Sequence, residues 1–323
     1  MPALTCDVFN GDADGICALH QLRLATPCPD SLLITGVKRD IRLLKRLADV
    51  KKSHITVLDI SLDRNREDLL GLLERENRIL YIDHHFSGEI PDHTNLETHI
   101  DPSPQTCTSL IVDGLLHGKY RAWAVAGAFG DNLDETALAA AAPLNLSEED
   151  LARLRETGIL LNYNGYGAAI EDLFFAPDDL FRQVQPFQDP LDFYDNSPAL
   201  RTLKTGYQED LTRAEQARPI LENSSGRVFL LPGEPWARRV AGVFANKLAR
   251  EKKNLAHALI MPNQDGSLRI SVRAPLARRT GADTLCRRFP SGGGRAAAAG
   301  INQLPPAMQE QFLTDFTRQF SRE

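Results

Sequence analysis

The stretch that decides the fold is Arg78-Ile-Leu-Tyr-Ile-Asp83-His84-His85, an apolar run that ends on one acid and two imidazoles. Two other apolar runs end in the same way, within residues 5–14 and 55–59, and a fourth polar cluster is Gly130-Asp131. We expect each cluster to lie at the carboxyl end of a strand. In an open parallel sheet these ends meet at one edge, where ligands bind. The sequence therefore predicts one polar site built from distant segments.

Strands and helices alternate over the first ~140 residues in the manner of βαβ units, which build a parallel sheet. Short β-branched runs are separated by helical patterns about a dozen residues long. The predicted strands are 4–10, 32–37, 55–60 and 78–82, the predicted helices between them are 14–25, 41–47 and 65–76, and further helices are expected at 106–117, 120–129 and 147–160.

A second alternation follows a proline-marked break at Pro186, Pro190 and Pro198 and a polar connecting helix over 199–222. Its expected elements are strand 227–231, helix 235–250, strands 256–261 and 268–273 joined by the turn Asn263-Gln264-Asp265-Gly266, and helix 281–288. We therefore predict an α/β protein with a parallel-sheet domain over 1–190, a connecting segment over 191–225 and a smaller α/β domain over 226–323. We expect the active site in the cleft between the two domains.

Composition favours a cytoplasmic protein that does not enter a membrane. The chain has 323 residues, 42% of them hydrophobic, which is enough for a core in each of two domains. Its five cysteines show neither paired nor zinc-like spacing, as expected in a reducing compartment. No apolar run approaches the ~20 residues of a membrane span. A homodimer is among the assemblies that the sequence leaves open.

Charge is distributed unevenly along the chain. The residues from Arg227 onward hold 16 Lys/Arg against 7 Asp/Glu, whereas the preceding residues hold 21 against 36. An acidic half that binds metal beside a basic half that binds phosphate suits a polyanionic substrate. The alternative is that the basic residues only keep the second domain soluble.

The acids and imidazoles of the four clusters point to a metal site. Clustered carboxylates repel one another unless a cation neutralises them, and oxygen donors with one or two imidazoles suit Mn²⁺ or Mg²⁺. Each cluster also has a simpler interpretation. Asp14 is placed to cap the helix that follows it, Asp131 is placed as a helix cap, and His84 and His85 are placed as surface residues at a strand end.

In the second domain the stretch Ser291-Gly-Gly-Gly-Arg295-Ala-Ala-Ala-Ala-Gly300 is the informative one. We expect its alanines to begin a helix, so that Gly292, Gly293 and Gly294 present N–H groups to a phosphate. Arg295 would add a bidentate contact, and Arg273 at the end of its strand could reach the same anion. The alternatives are a flexible glycine loop and an ordinary surface arginine.

Together these motifs resemble the DHH phosphoesterases that carry a DHH-associated C-terminal domain. Asp83-His84-His85 resembles the motif that names the family, and the glycine stretch resembles the motif of the associated domain. The segment Gly127–Asp134 is most similar to RecJ-type exonucleases. The resemblance implies two Mn²⁺ ions, or Mg²⁺. Asp12 would hold the first, Asp14, His84 and Asp131 the second, and Asp59 would bridge them, with Asp83 and His85 in catalysis.

Two positions depart from the family pattern. Most members have a histidine four residues before the first acid, and Val8 stands there in this chain. Asn10, on the same strand face, could offer an amide oxygen instead. Arg295 replaces the histidine that is usual in the glycine motif, which keeps the positive charge but cannot act as an acid or base.

Two functional hypotheses follow. The first is a Mn²⁺-dependent phosphodiesterase of exonuclease type. It would hydrolyse single-stranded or short oligonucleotides or phosphorylated nucleotides, release nucleoside monophosphates and use Arg273, Gly292–Gly294 and Arg295 to bind the substrate. The second is a catalytically impaired nucleic-acid-binding or scaffold protein on the same fold. Val8 favours the second hypothesis, and the complete set of acids and imidazoles favours the first.

Overall fold

The computed structural model describes residues 4–321, which form two compact units that divide between residues 205 and 206. The boundary falls inside helix α9, within the segment expected to connect two domains. Among the described residues no helix is both long and apolar enough to cross a membrane.

The first unit is built on a five-stranded sheet in which every pair of neighbours is parallel. The strand order is β2-β1-β3-β4-β5. Its elements are β1 (Thr5–Phe9), α1 (Ala13–Ala25), β2 (Leu32–Ile34), β3 (His54–Leu58), α2 (Leu62–Glu74), β4 (Arg78–Asp83) and β5 (Leu96–Ile100). The predicted parallel α/β sheet is confirmed. The edge strand β5 was not predicted, because its side chains are only partly buried and leave no continuous apolar run.

Helices follow the sheet in this unit: α3 (Thr108–Leu115), α4 (Arg121–Gly130), α5 (Asp134–Ala141), α6 (Glu148–Asn164), α7 (Pro177–Val184) and α8 (Pro190–Asn196). Helix α9 (Pro198–Glu215) crosses the boundary into the second unit. Helices α1, α4 and α6 approach one another closely. A Cβ at Gly130 would collide with Ala13, and one at Gly158 would collide with the carbonyl of Ala126. Small residues at these crossings set the position of the last turn of α4. Helix α9 is shorter than the predicted 199–222, because Pro219 begins a strand.

The second unit is a six-stranded mixed sheet of order β10-β11-β9-β8-β7-β6, in which only β7 and β8 are parallel neighbours. Its elements are β6 (Pro219–Glu222), β7 (Gly226–Leu230), α10 (Pro235–Glu251), β8 (Ala256–Pro262), β9 (Leu268–Arg273), α11 (Ala282–Cys286), β10 (Gly292–Gly294), β11 (Ala298–Leu304) and α12 (Gln309–Phe320). The predicted hairpin between β8 and β9 is confirmed, and Gly266 in its turn has φ of 80°.

The helix expected after Arg295 was wrong. Gly292–Gly294 and Ala298–Leu304 are antiparallel strands, and Arg295 and Ala298 exchange backbone hydrogen bonds of 2.9 and 3.1 Å across the turn. The run of alanines favours a helix by intrinsic propensity, but packing in the sheet overrides it. Ala299 and Ile301 contribute to the buried core of the unit, and this fixes the register of the hairpin.

Candidate metal centre

Asp12 follows β1 and caps α1. Its Oδ1 accepts the backbone N–H groups of Asp14 and Gly15 at 3.1 Å each, and its own backbone is extended. Capping therefore does occur here, but by Asp12 rather than by Asp14 as considered from the sequence. The other oxygen, Oδ2, lies 2.6 Å from Nζ of Lys38. Burial alone would raise the pKa of Asp12, but the Lys38 ammonium and the N–H of Gly15 hold it below its usual value.

Asp14 lies in the first turn of α1 and points at the start of α3. Its Oδ2 accepts the N–H of Thr108 at 2.7 Å, and its Oδ1 accepts the N–H of Ser109 at 2.8 Å. The unpaired N–H groups at a helix N-terminus favour a negative charge. The Asp14 carboxylate is thus buried and fixed in direction before any ligand binds.

Asp59 follows β3 with a left-handed backbone, φ 59°, which aspartate tolerates better than most residues. Its Oδ1 accepts a hydrogen bond from the Thr108 hydroxyl at 3.3 Å and lies 3.4 Å from Nε2 of His84. Burial raises the pKa of Asp59 well above its usual value, and the charges of Asp12, Asp14, Asp131 and Asp83 raise it further. A cation beside this carboxylate would stabilise its charged form and so oppose that shift.

His84, directly after β4, is where three carboxylates converge. Its Nε2 lies 3.4 Å from Asp59, 3.8 Å from Asp131 and 4.0 Å from Asp14. Four residues from four separate segments therefore point their donor atoms at one small volume, as the sequence predicted. Ordinary surface placement of this histidine is excluded, because only 17% of its side chain is exposed.

His85 lies beside the same acids and is held by Asp83. Its Nδ1 is 2.7 Å from Oδ1 of Asp83, which is fully buried at the end of β4, and 3.9 Å from Oδ1 of Asp59. Burial alone would lower the pKa of His85, but the hydrogen bond and charge of Asp83 raise it, with help from Asp131 and Asp14. This pairing places the Nδ1 proton on the Asp83 side and leaves Nε2 for other contacts.

Asp131 is positioned by a helix and not by a strand, contrary to the sequence-based expectation. It is the residue after Gly130 at the end of α4, and the close crossing of α4 with α1 carries it to the strand ends. Its Oδ2 faces His84, and its Oδ1 lies 3.4 Å from Nζ of Lys38. Burial raises the pKa of Asp131; the Lys38 ammonium opposes this shift, whereas Asp14 and Asp12 add to it.

These donors fit a divalent cation. Within residues 4–321, the ligand atoms of Asp59, His84 and His85 lie within 4.8 Å of one another. Asp14 and Asp131 add two further carboxylates around His84. Oxygen donors with one or two imidazoles suit Mn²⁺ or Mg²⁺, and a cation would relieve the repulsion that raises the pKa of Asp59.

Lys38 is the residue that sequence reasoning missed. It lies in the loop after β2, at the same sheet edge, and its Nζ contacts Asp12, Asp131 and Oδ1 of Asn162, the last at 3.0 Å. The contacts of its ammonium with Asp12 and Asp131 outweigh the effect of burial, so the pKa of Lys38 is raised well above its usual value. A signal was present, since Lys38 follows a short strand as the acidic clusters do, but a lysine is not a metal ligand of the kind that the acids and imidazoles indicated.

Val8, the departure expected at the first ion, and Asn10, considered as a replacement ligand there, differ in their surroundings. Val8 is fully buried in an apolar cluster that includes Val57 and Tyr81. Asn10 is buried, and its Nδ2 donates to the carbonyl of Lys38 at 3.4 Å. Among the described residues its Oδ1 has no hydrogen-bond partner.

The two arginines expected to bind substrate lie in one row of the second sheet. Arg273 pairs in register with Ala298, and Arg295 pairs with Ala298 from the other side, so all three share a sheet face. Nε of Arg273 donates to Oδ1 of Asn246 at 2.8 Å, which fixes that guanidinium, whereas Arg295 is exposed at the hairpin turn. Gly293 lies on the same face, and a Cβ there would meet open space.

No protein-family model matches the sequence, and no curated protein matches it either. Solved structures do match over nearly the whole chain. A manganese-bound RecJ exonuclease superposes with a TM-score of 0.63 at 16% identity, covering 99% of this chain and 90% of that one.

Two further structures extend the comparison. A DHH-domain protein described as a member of a family of ribosomal proteins has a TM-score of 0.61 at 13% identity, covering 98% of this chain and 86% of its own. A pGpG-specific phosphodiesterase, PggH of Vibrio cholerae, has a TM-score of 0.52 at 13% identity, covering 98% of each chain. The chain therefore has the fold of the DHH phosphoesterases, as the four polar clusters indicated.

Proposed function

We propose that the chain is a metal-dependent phosphodiesterase that hydrolyses short single-stranded oligonucleotides from one end. The observation that carries the proposal is the convergence of Asp14, Asp59 and Asp131 on Nε2 of His84. A purely structural role does not account for three buried or partly buried acids around one imidazole, because their mutual repulsion destabilises the fold. The fold shared with RecJ and with a pGpG phosphodiesterase supports the same class of substrate.

Asp14, Asp59, His84 and Asp131 would hold a divalent cation, with Mn²⁺ as the proposed ion and Mg²⁺ as its alternative. Such an ion polarises a phosphoryl oxygen and makes hydroxide available near neutral pH. The chain itself keeps these ligands in place without the ion. The start of α3 fixes Asp14, the Thr108 hydroxyl orients Asp59, and the end of α4 positions Asp131.

His85 would handle the proton of the reaction. Asp83 holds Nδ1, so Nε2 of the same ring is the atom that faces a substrate. Because Asp83 also raises the pKa of His85, the ring carries a proton more readily than a free histidine and can donate it from Nε2 to the departing oxygen. Arg273 and Arg295 would bind a phosphate of the substrate through charge-assisted hydrogen bonds.

The direct test is hydrolysis of a trinucleotide with a 5′ label, with Mn²⁺, with Mg²⁺ and with a chelator. We expect stepwise release of nucleoside monophosphate that needs the divalent ion. Asp59→Asn is the matched control, because asparagine keeps the acceptor for Thr108 and tolerates the left-handed backbone. Cleavage that persists in the chelator, or in Asp59→Asn at the wild-type rate, would contradict the proposal.

A second candidate is a protein that binds single strands without cleaving them. The contact of Lys38 with Asp12 and the burial of Val8 in an apolar cluster favour it, because both reduce the donors available to a first ion. Binding of the intact trinucleotide, with metal bound but no product, would select this candidate.

A further inference from the structure

Lys38 places a fixed positive charge among the acids of the candidate metal centre. Its Nζ lies 2.6 Å from Oδ2 of Asp12, 3.0 Å from Oδ1 of Asn162 and 3.4 Å from Oδ1 of Asp131. Three oxygen atoms from three elements thus surround one ammonium group. Oxygen donors around a small positive charge are also what a hard divalent cation requires.

The surroundings of Lys38 are built for this contact. Its backbone N–H donates to the carbonyl of Gly165 at 3.0 Å, and its own carbonyl accepts from Asn10. The Asn162 amide is oriented as well, because its Nδ2 donates to the Tyr166 hydroxyl at 2.8 Å and so turns Oδ1 towards the ammonium. The ring of Tyr166 lies 5.7 Å from Nζ, within the range of a cation–π contact.

The donors left for an ion beside Asp12 are few. Oδ1 of Asp12 already accepts two backbone N–H groups, and its Oδ2 faces Lys38. Val8, at the position where an imidazole is expected, lies in an apolar cluster. The remaining candidate is the amide oxygen of Asn10, which is buried and has no hydrogen-bond partner within residues 4–321.

We propose that the Lys38 ammonium takes the place of one of the two metal ions that the fold implies, so that the centre binds a single divalent cation. That ion is held by Asp14, Asp59, His84 and Asp131. Lys38 neutralises Asp12 and shares Asp131 with the ion, and it presents a positive charge to a phosphate oxygen of the substrate. This inference deepens the proposed function and rests on it only for the last of these roles.

The test is Mn²⁺ titration of the full chain by calorimetry, with electron paramagnetic resonance of the loaded protein. We expect one Mn²⁺ per chain and the resolved hyperfine pattern of an isolated ion. Lys38→Ala opens the space beside Asp12, and we expect it to bind two ions and to show the broadened signal of a coupled pair. Lys38→Arg keeps the charge and is the matched control, with one ion expected.

Near-UV circular dichroism shows whether each variant is folded, and Lys38→Gln serves if Lys38→Ala is not. Two ions in the wild-type chain would overturn the proposal and would point to the Asn10 amide oxygen as the missing ligand. One ion in both the wild-type chain and the neutral variant would also overturn it, since Lys38 would then occupy no ion's place. Neither measurement uses a substrate. A single-ion chain that fails to hydrolyse the trinucleotide would refute the proposed function and leave this inference standing.

Discussion

Asp83 and His85 lie on the same side of the end of β4, with Oδ1 of the buried carboxylate 2.7 Å from Nδ1 of the half-exposed ring. The strand ends at Asp83, and the chain bends at His85, two residues further on. The pair fixes which ring nitrogen is left for a substrate. Asp83 is fully buried and out of reach of a substrate, whereas the exposed part of the His85 ring can contact one.

Asp83→Asn should therefore lower kcat without removing the metal. The amide can pair with His85 in the wrong tautomer and no longer raises its pKa, so we expect a loss of about 10²-fold, typical of impaired proton transfer. The readouts are kcat for the trinucleotide and the Mn²⁺ affinity by calorimetry. His85→Gln should produce a similar loss, and the double variant should be no worse than either single one. A large fall in Mn²⁺ affinity would instead make Asp83 a metal-positioning residue.

Asp59→Asn should abolish activity yet stabilise the metal-free protein. The folded-state pKa of Asp59 is raised, so its ionisation opposes folding, and the penalty grows as pH rises above its unfolded value. Asparagine carries no charge and keeps the hydrogen bond from Thr108. We expect a gain of about 1 kcal/mol at pH 8 in a chelator, or a rise in Tm of about 2–4 °C. Thermal unfolding at pH 5 and pH 8 measures it. A Tm below that of the wild-type chain at pH 8 would contradict the argument.

The sequence predicted the part of the site that follows strands. Asp59 and His84 come directly after strands β3 and β4, Asp12 comes three residues after β1, and the carboxyl ends of parallel strands must share an edge. Lys38 and Asp131 were harder to place correctly for a physical reason. The ammonium of Lys38 donates a hydrogen bond to Asn162, which lies 124 residues further along the chain. Asp131 is brought to the site by the close crossing of helices α4 and α1. No local pattern encodes either contact.

The glycine-rich hairpin shows the opposite failure, in which a local signal was present and misleading. Four consecutive alanines have strong helix propensity, but Ala298 and Ala299 both pair with β9, and on its other side Ala299 pairs with Gly294 of the glycine strand. The glycines are explained by packing. A Cβ at Gly292 would collide with the carbonyl of Cys286, and Gly294 has φ of 136°.

Gly294→Ala should consequently destabilise the second unit, whereas Gly293→Ala should not. At Gly294 an added Cβ would lie 2.5 Å from Cα of Ala299, and the backbone is in a region that L residues avoid. The expected cost is about 1–3 kcal/mol. At Gly293 the Cβ meets open space, so we expect a change within about 0.5 kcal/mol. Urea denaturation followed by Trp236 fluorescence, in a Trp123→Phe background, compares the two variants. Equal stabilities would mean that the hairpin does not have this geometry.

Arg295→Ala should weaken substrate binding more than it slows the chemistry. Arg295 is exposed at the hairpin turn, on the sheet face that it shares with Arg273. A charge-assisted hydrogen bond contributes about 1.5–3 kcal/mol, so we expect KM to rise by about 10- to 100-fold with kcat nearly unchanged. Arg318→Ala is the matched control, since that arginine lies on α12 with 71% of its side chain exposed. An unchanged KM in Arg295→Ala would remove this residue from the substrate site.

His20 should make the first unit sensitive to acid. It is buried, its Nε2 donates to the carbonyl of Phe187 at 2.7 Å, and its ring packs edge-on against Trp123 with centroids 4.6 Å apart. Burial lowers the pKa of His20 to about 4, and the hydrogen bond to Phe187 only partly opposes this. The unfolded chain therefore binds a proton on His20 near pH 6.5, whereas the folded chain binds it only near pH 4. Stability present above pH 6.5 is lost as pH falls towards 4, by about 3 kcal/mol in total.

His20→Gln keeps an N–H donor for Phe187 but does not titrate, so it should flatten this part of the pH profile. The measurement is urea denaturation between pH 4 and pH 8, followed by Trp123 fluorescence in a Trp236→Phe background, which reports on the first unit alone. His54→Gln is the control, because that histidine is exposed at the start of β3 and should leave the profile as it is. If His20→Gln and the wild-type chain lose stability in parallel below pH 6.5, other groups cause the acid sensitivity and His20 is not kept neutral by its burial.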